Sequence, residues 1–206
     1  MKVTTNNLEE MRHYRRDTRA TLIAQRLAAG CSARKAWNSA IEHYLWPLIR
    51  ALDRRLIAFC WPIKGEVDLR RMIVDIQTRQ GWRTALPVVL ERSAPMVFRP
   101  WTPSTDMEAG IWGIPIPKTN EIVWPDLVLV PLVGFDTANY RLGYGGGYFD
   151  RTLGCLSPRP LTIGVGFELS RLDSVHPQPH DVPMDFIVTE AGVQRRQENG
   201  YGSDHR

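Results

Sequence analysis

The chain predicts an α/β fold, a three-layer α/β/α single domain around a mainly parallel sheet with N-terminal helices. Three observations carry this. The runs Leu56-Ile57-Ala58-Phe59-Cys60-Trp61 and Asp126-Leu127-Val128-Leu129-Val130 are continuously apolar, as strands covered on both faces are. Segments of helical period stand between such runs, and that alternation is what parallel sheets with crossover helices require. Finally, 206 residues that are 43% hydrophobic and 23% charged hold enough apolar material for one core and not for several.

Taken in order, Leu8 to Ala29 reads as a helix free of proline and stopped by Gly30. A second helix runs from an N-cap at Ser32 to Leu52, with Pro47 as a kink point. The Leu56–Trp61 strand ends at Pro62 and Gly65. Asp68 then caps a helix whose apolar positions Leu69, Met72, Ile73 and Ile76 share one face. Thr84–Leu90 and Met96–Trp101 read as strands, and Pro100 to Pro125 as a surface loop. Strands follow at Asp126–Val130, Leu161–Phe167 and Phe186–Val188. The domain is expected to span residues 1–193, with 194–206 a frayed polar tail.

Composition excludes several classes. The 26 Lys+Arg against 22 Asp+Glu leave a net charge of +4, which suits anionic small ligands and is modest for a nucleic-acid binder. Cys31, Cys60 and Cys155 are odd in number and far apart, so neither a disulfide framework nor a zinc cluster is expected. Cys155 is expected to be a small packed residue. His176 and His180 are four apart, but Pro177 and Pro179 forbid the helix that would align them on a metal. The start MKVTTNNLEEMRHYRR has no apolar signal core, and no run is long enough to span a membrane. A cytoplasmic protein with no membrane or nucleic-acid partner is expected.

The most informative segment is Gly134-Phe135-Asp136, a short spacer, then Arg141-Leu142-Gly143-Tyr144-Gly145-Gly146-Gly147-Tyr148-Phe149-Asp150-Arg151. It lies just past the carboxyl end of a predicted strand, where open α/β sheets bind ligands. Glycines at 143, 145, 146 and 147 let backbone N–H groups approach phosphate oxygens, and a helix starting near Gly147 adds its own. Arg141 can supply charge, and Asp150 in the first turn can hold a magnesium ion. The segment is neither GxGxxG nor a Walker loop, and the plainer alternative is a glycine-rich turn before a helix. In the first helix, Arg12, Arg15, Arg16, Arg19 and Arg26 fall within roughly a third of the circumference. That stripe is either a solvated basic face or one side of a polyphosphate site completed by the glycine loop.

Together these residues resemble the 5-formyltetrahydrofolate cyclo-ligase family, also called methenyltetrahydrofolate synthetases. The glycine segment closely matches that family's signature. The likeness runs from the basic helix through Trp61–Asp68 and Trp112-Gly113-Ile114-Pro115-Ile116-Pro117 to His180-Asp181-Val182-Pro183-Met184-Asp185. The resemblance implies conversion of 5-formyltetrahydrofolate to 5,10-methenyltetrahydrofolate with ATP and magnesium. It also implies site residues. Arg12 and Arg16 correspond to a basic pair that contacts ATP, and Arg141, Leu142, Gly143, Tyr144, Gly145, Gly146, Gly147, Tyr148 and Phe149 wrap the triphosphate. Asp150 and Asp181 hold the metal. Trp61, Glu66, Tyr148 and the Tyr144–Gly147 stretch meet the folate, with Arg141, Glu66 and Tyr148 as the catalytic set. The sequence departs from the pattern at Tyr144 and Gly146, where certain relatives carry basic side chains, and at Phe149, where Tyr is common.

The expected partner is the folate substrate, polyglutamylated or not, and the expected state a monomer or weak dimer. Two other classes fit less of the chain. An inactive folate- or nucleotide-binding paralogue would not need Arg141, Asp150 and Asp181 together. A nucleic-acid module using the arginine stripe would give the glycine loop no task.

Overall fold

The computed structural model describes residues 5–53 and 55–197, so most of the expected tail lies outside the described residues. Two long helices come first, α1 (Thr5–Ala28) and α2 (Cys31–Arg50). They meet at Gly30, whose φ of 35° reverses the chain. Gly30, and not the expected Ser32, is the N-cap of α2, and it makes no side-chain cap bond. Pro47 is accommodated inside α2, which continues to Arg50.

Seven strands form one sheet: β1 (Leu56–Ala58), β2 (Arg83–Val88), β3 (Val97–Pro100), β6 (Leu127–Pro131), β9 (Leu161–Val165), β10 (Phe186–Thr189) and β11 (Gly192–Arg195). Between them lie α3 (Arg70–Gln80), the hairpins β4 (Met107–Ala109)/β5 (Pro115–Pro117) and β7 (Gly134–Phe135)/β8 (Arg141–Leu142), and α4 (Tyr148–Cys155). The order across the sheet is β11-β10-β9-β6-β1-β2-β3. The five central strands are parallel, and β3 and β11 close the two edges antiparallel.

Side-chain alternation along these strands divides the core into two layers. Ile57, Leu127, Leu129, Ile163 and Val165 face Ile41, Leu45 and Ile49 of α2 and Met72, Ile73 and Ile76 of α3. Leu56, Ala58, Val128, Val130 and Ile187 face Leu153 of α4. The predicted three layers around a mainly parallel sheet are therefore present. The connection β1-α3-β2 runs toward one sheet edge and β6-α4-β9 toward the other. Right-handed crossovers then put α3 and α4 on opposite faces, and the β1–β6 pair becomes the point where the strand order reverses.

Several expectations change in detail. Pro100–Pro125 is not wholly a loop, because β4 and β5 pair within it. Gln194 and Arg195, assigned to the tail, pair in β11 instead, and the Gln194 amide donates to the Asp136 carbonyl and to Asn139. Asp68 is not the formal cap of α3, whose N-cap is Leu69, yet its carboxylate accepts the first-turn N–H of Arg70. Cys155 is exposed, not packed, since it ends α4 on the solvent side. No described helix is long and apolar enough to cross a membrane.

Candidate functional site

The loops that leave β1, β6 and β9 at their carboxyl ends converge on the reversal point. The β1 loop brings Trp61 and Glu66, the chain after β6 makes the β7–β8 hairpin and the glycine loop, and the segment before β10 brings Asp181. A small cavity of about 20 Å³, room for about one water, lies there among Phe59, Cys60, Glu66, Val67, Leu69, Leu129, Val130, Pro131 and Val165.

The glycine loop needs its glycines. Gly145 has φ 96° and Gly147, the N-cap of α4, has φ 64°. A side chain at 145 would also press on the Arg19 guanidinium at 3.3 Å, and one at 146 on the Tyr148 ring at 2.7 Å. The first-turn N–H groups of α4 have no intrahelical acceptor by construction, and they open onto this loop.

Helix α1 lies along the loop. Its buried apolar side chain among the described residues, Leu22, docks on Val133, Leu142 and Val175. That contact sets the roll of the helix, so Arg15, Arg19 and Arg26, on the same stripe as Leu22, turn inward. Arg19 Nε donates to the Gly143 carbonyl at 2.6 Å, and Arg15 pairs with Asp181 at 2.7 Å. Arg141, almost fully buried, pairs with Asp150 at 3.0 Å and donates to the Val182 carbonyl at 3.0 Å. Asp150 in turn accepts the Val182 N–H, and Asp181 that of Gln178. Three guanidiniums, of Arg15, Arg19 and Arg141, thus face two carboxylates, leaving positive charge in excess. Burial and the neighbouring Arg15 pull the Arg19 and Arg141 pKa values down, while Asp150 and Asp181 oppose this at Arg141. Arg15 Nε and Arg151 Nε are buried near the loop without a hydrogen-bond partner. Net positive charge and unpartnered guanidine nitrogens are what an anion site needs.

Asp150 and Asp181 meet the same arginine cluster, and no group of three His, Cys, Asp or Glu side chains forms a metal cage among the described residues. Two carboxylates beside an anion pocket fit a magnesium ion shared with phosphates, which binds through one or two carboxylates and keeps its remaining positions for phosphate and water.

On the other side of the crevice Glu66 is buried at 9% exposure. One oxygen accepts the Ile63 N–H at 2.9 Å and the other the Tyr144 hydroxyl at 2.8 Å. Burial raises its pKa, and Ile63, Tyr144, Arg26 and Lys64 pull it back. The Tyr144 hydroxyl, pushed up by burial and by Glu66, also accepts from Arg26 at 2.8 Å. Burial pushes the Cys60 thiol well up, so it stays neutral. Trp61 is half-buried, with the Arg70 guanidinium 4.8 Å above its ring and Trp101 against its edge. Tyr148 stands edge-on to the exposed Trp112 and carries Arg151 over its face at 4.9 Å. Phe149 packs under Arg141, and Leu142 is in the core beside Leu22.

Most residues singled out from sequence therefore come together. Arg12 and Arg16 do not: both are exposed, and Arg16 bonds His13 and Asp17. Arg15, Arg19 and Arg26 hold the positions next to the loop. Arg141 faces Asp150 and Val182 rather than the open loop. Arg151, the last residue of the quoted glycine segment, carried no assigned role, although its place i+4 from Gly147 puts it one helical turn behind the loop.

The 5-formyltetrahydrofolate cyclo-ligase family profile matches residues 11–190. Among curated proteins, the 5-formyltetrahydrofolate cyclo-ligase of Mycolicibacterium smegmatis is 31% identical over 83% of this chain and 91% of its own length. That of Haemophilus influenzae is 28% identical over 90% of this chain and all of its own. Among solved structures, the 5,10-methenyltetrahydrofolate synthetase of Aquifex aeolicus superposes with a TM-score of 0.79 at 27% identity, covering 93% of this chain and 97% of that one.

Proposed function

The chain belongs to the 5-formyltetrahydrofolate cyclo-ligase family, a family of enzymes, and on that premise we propose that it converts 5-formyltetrahydrofolate to 5,10-methenyltetrahydrofolate at the expense of ATP. The observation that carries this reading is the pairing of two unlike half-sites at one crevice. One is a glycine loop ringed by Arg15, Arg19, Arg141, Asp150 and Asp181, and the other a buried carboxylate, Glu66.

An N-formyl oxygen is a poor leaving group, so the reaction must convert it. Transfer of the γ-phosphoryl group forms a phosphorus–oxygen bond to the formyl oxygen and releases ADP. N10 then attacks the formyl carbon and loses its proton, and phosphate departs with the carbon–oxygen bonding pair. Such a transfer depends on in-line placement and charge neutralisation rather than on a protein nucleophile. In this assignment the N–H groups of Gly143 to Phe149 cradle the triphosphate. Arg15, Arg19 and Arg151 neutralise its charge, the role the resemblance gave to Arg12 and Arg16. Arg141 acts by holding Asp150 in place. Asp150 and Asp181 would hold a magnesium ion, which supplies charge neutralisation at the phosphate oxygens. Glu66 accepts N–H bonds from the aminopyrimidine edge of the pterin, and Trp61 and Tyr148 flank the rings.

The direct test mixes purified protein with 5-formyltetrahydrofolate, ATP and magnesium, and follows the near-ultraviolet absorbance of the methenyl product. A rise that needs both ATP and magnesium is expected. No rise from well-folded protein overturns the reading and favours a binding paralogue, which titrations with folate and ATP would then define.

A further inference from the structure

Arg26 is the most enclosed charge on α1, at 5% exposure, and arginine is rarely so buried without a paired anion. Its three bonds go to three separate segments. Nε donates to the Lys64 carbonyl at 3.0 Å, Nη1 to the Leu132 carbonyl at 3.1 Å, and Nη2 to the Tyr144 hydroxyl at 2.8 Å. The loop after β1, the chain after β6 and the glycine loop are thus tied at one guanidinium. None of these partners is an anion; the carboxylate that balances it is Glu66, one hydroxyl away.

A phenol has one proton to give. Because Arg26 donates to the Tyr144 oxygen, that oxygen is an acceptor there, and its own proton is directed to Glu66. The Ile63 N–H donates to the second Glu66 oxygen. Both oxygens are therefore held as acceptors in a fixed plane, and their remaining lone pairs stay available to a ligand carrying two N–H groups.

Resting on the folate reading above, we infer that Arg26 is a positioning residue for pterin recognition, which aims and charge-compensates Glu66 through the Tyr144 hydroxyl. Lysine cannot replace it fully, because one ammonium does not offer the planar fork that reaches three acceptors on different segments. The charged and titratable groups around Glu66 are Arg26, Lys64, Tyr144 and the neutral Cys60. Loss of the Arg26 charge or of the Tyr144 hydroxyl removes an influence that favours the ionised carboxylate. The acid limb of turnover then moves to higher pH.

The test compares Arg26→Met, Tyr144→Phe, their double variant and Arg26→Lys with the parent protein, each checked for folding by circular dichroism. Folate kcat/KM should fall about tenfold to a hundredfold in both single variants, mainly through KM, because a hydrogen bond to a charged group is lost. The KM for ATP should change less. The acid limb should shift upward, and the double variant should be no worse than the worse single one, as for two links of one chain. Arg26→Lys should restore the acid limb without restoring the folate KM. An unchanged folate KM and acid limb in folded Tyr144→Phe overturns the inference, whatever Arg26→Met does. The same set is titrated with 5-formyltetrahydrofolate by tryptophan fluorescence. Failure of turnover in the parent protein, which concerns the reaction, is thereby separated from failure of Glu66 positioning, which concerns binding.

Discussion

At the glycine loop Asp150 and Asp181 each meet a guanidinium, with a third arginine beside them and two further guanidine nitrogens unpartnered. Across the crevice a single carboxylate, Glu66, lies against Phe59, Cys60, Leu129 and Val165, reached by one hydroxyl and one backbone N–H. The first half holds more cationic donors than carboxylates to pair with them. The second is a fixed hydrogen-bond acceptor in an apolar wall, and its occupant must match it in shape. The contrast teaches that charge excess suits a mobile polyanion, whereas a rigid ring system needs a carboxylate whose orientation is set in advance.

The largest effect expected from breaking this contrast is at Arg141. Arg141→Ala leaves Asp150 buried without its partner. Turnover should fall about a hundredfold to a thousandfold as phosphate-side organisation is lost. Unfolding should become easier by about 3–5 kcal/mol, the cost of leaving one member of a buried pair. Steady-state kinetics and a denaturant titration check the two parts, and full activity with full stability would show that Asp150 does not depend on it.

Glu66→Gln separates activity from stability. Folate kcat/KM should drop about tenfold to a hundredfold, as for a lost charged hydrogen bond. Stability should respond in the opposite sense. Burial raises the Glu66 pKa in the folded state above its ordinary value of 4.5. The folded protein therefore holds the proton more tightly, and this residue's contribution is most favourable below the unfolded pKa. It declines as pH rises through the raised folded value. Thermal melts of parent and Glu66→Gln protein should converge at low pH, with the variant equal or higher at neutral pH. A variant that melts lower at neutral pH than at low pH, relative to the parent, would remove burial as the dominant influence.

The smallest effects distinguish the arginines of α1. Arg19→Ala should raise the KM for ATP about tenfold, because it removes both a loop tether and a charge. Arg16→Ala should leave stability within about 0.5 kcal/mol, since its side chain is 65% exposed and its pair with Asp17 is a surface one. Its KM for ATP should change less than that of Arg19→Ala; the reverse order would restore Arg12 and Arg16 as the ATP-contacting pair.

What the sequence determined by itself was the layered α/β architecture and the glycine loop at the end of a buried strand. Continuous apolar runs such as Leu127 to Val130 admit few alternatives to a buried parallel strand, and Gly145 and Gly147 mark backbone that only glycine adopts easily. The short pairings β7–β8 and β4–β5 were hidden because two- or three-residue strands have no period to read. Which arginines meet the loop was a tertiary decision. Arg12, Arg15, Arg16, Arg19 and Arg26 share a broad stripe in the sequence, and the docking of Leu22 on Val133 and Leu142 turns Arg15, Arg19 and Arg26 inward, whereas Arg12, on the face of Arg19 but two turns nearer the N-terminus, stays exposed. Arg16 lies about 100° around the helix from Arg15 and is turned to solvent by that contact. Nor could the sequence reveal that Tyr144 would join Arg26 to Glu66, a residue singled out only through the family resemblance. Those three residues are brought together by loops from different strands, and hydrogen bonds between distant segments leave no periodic trace in the chain.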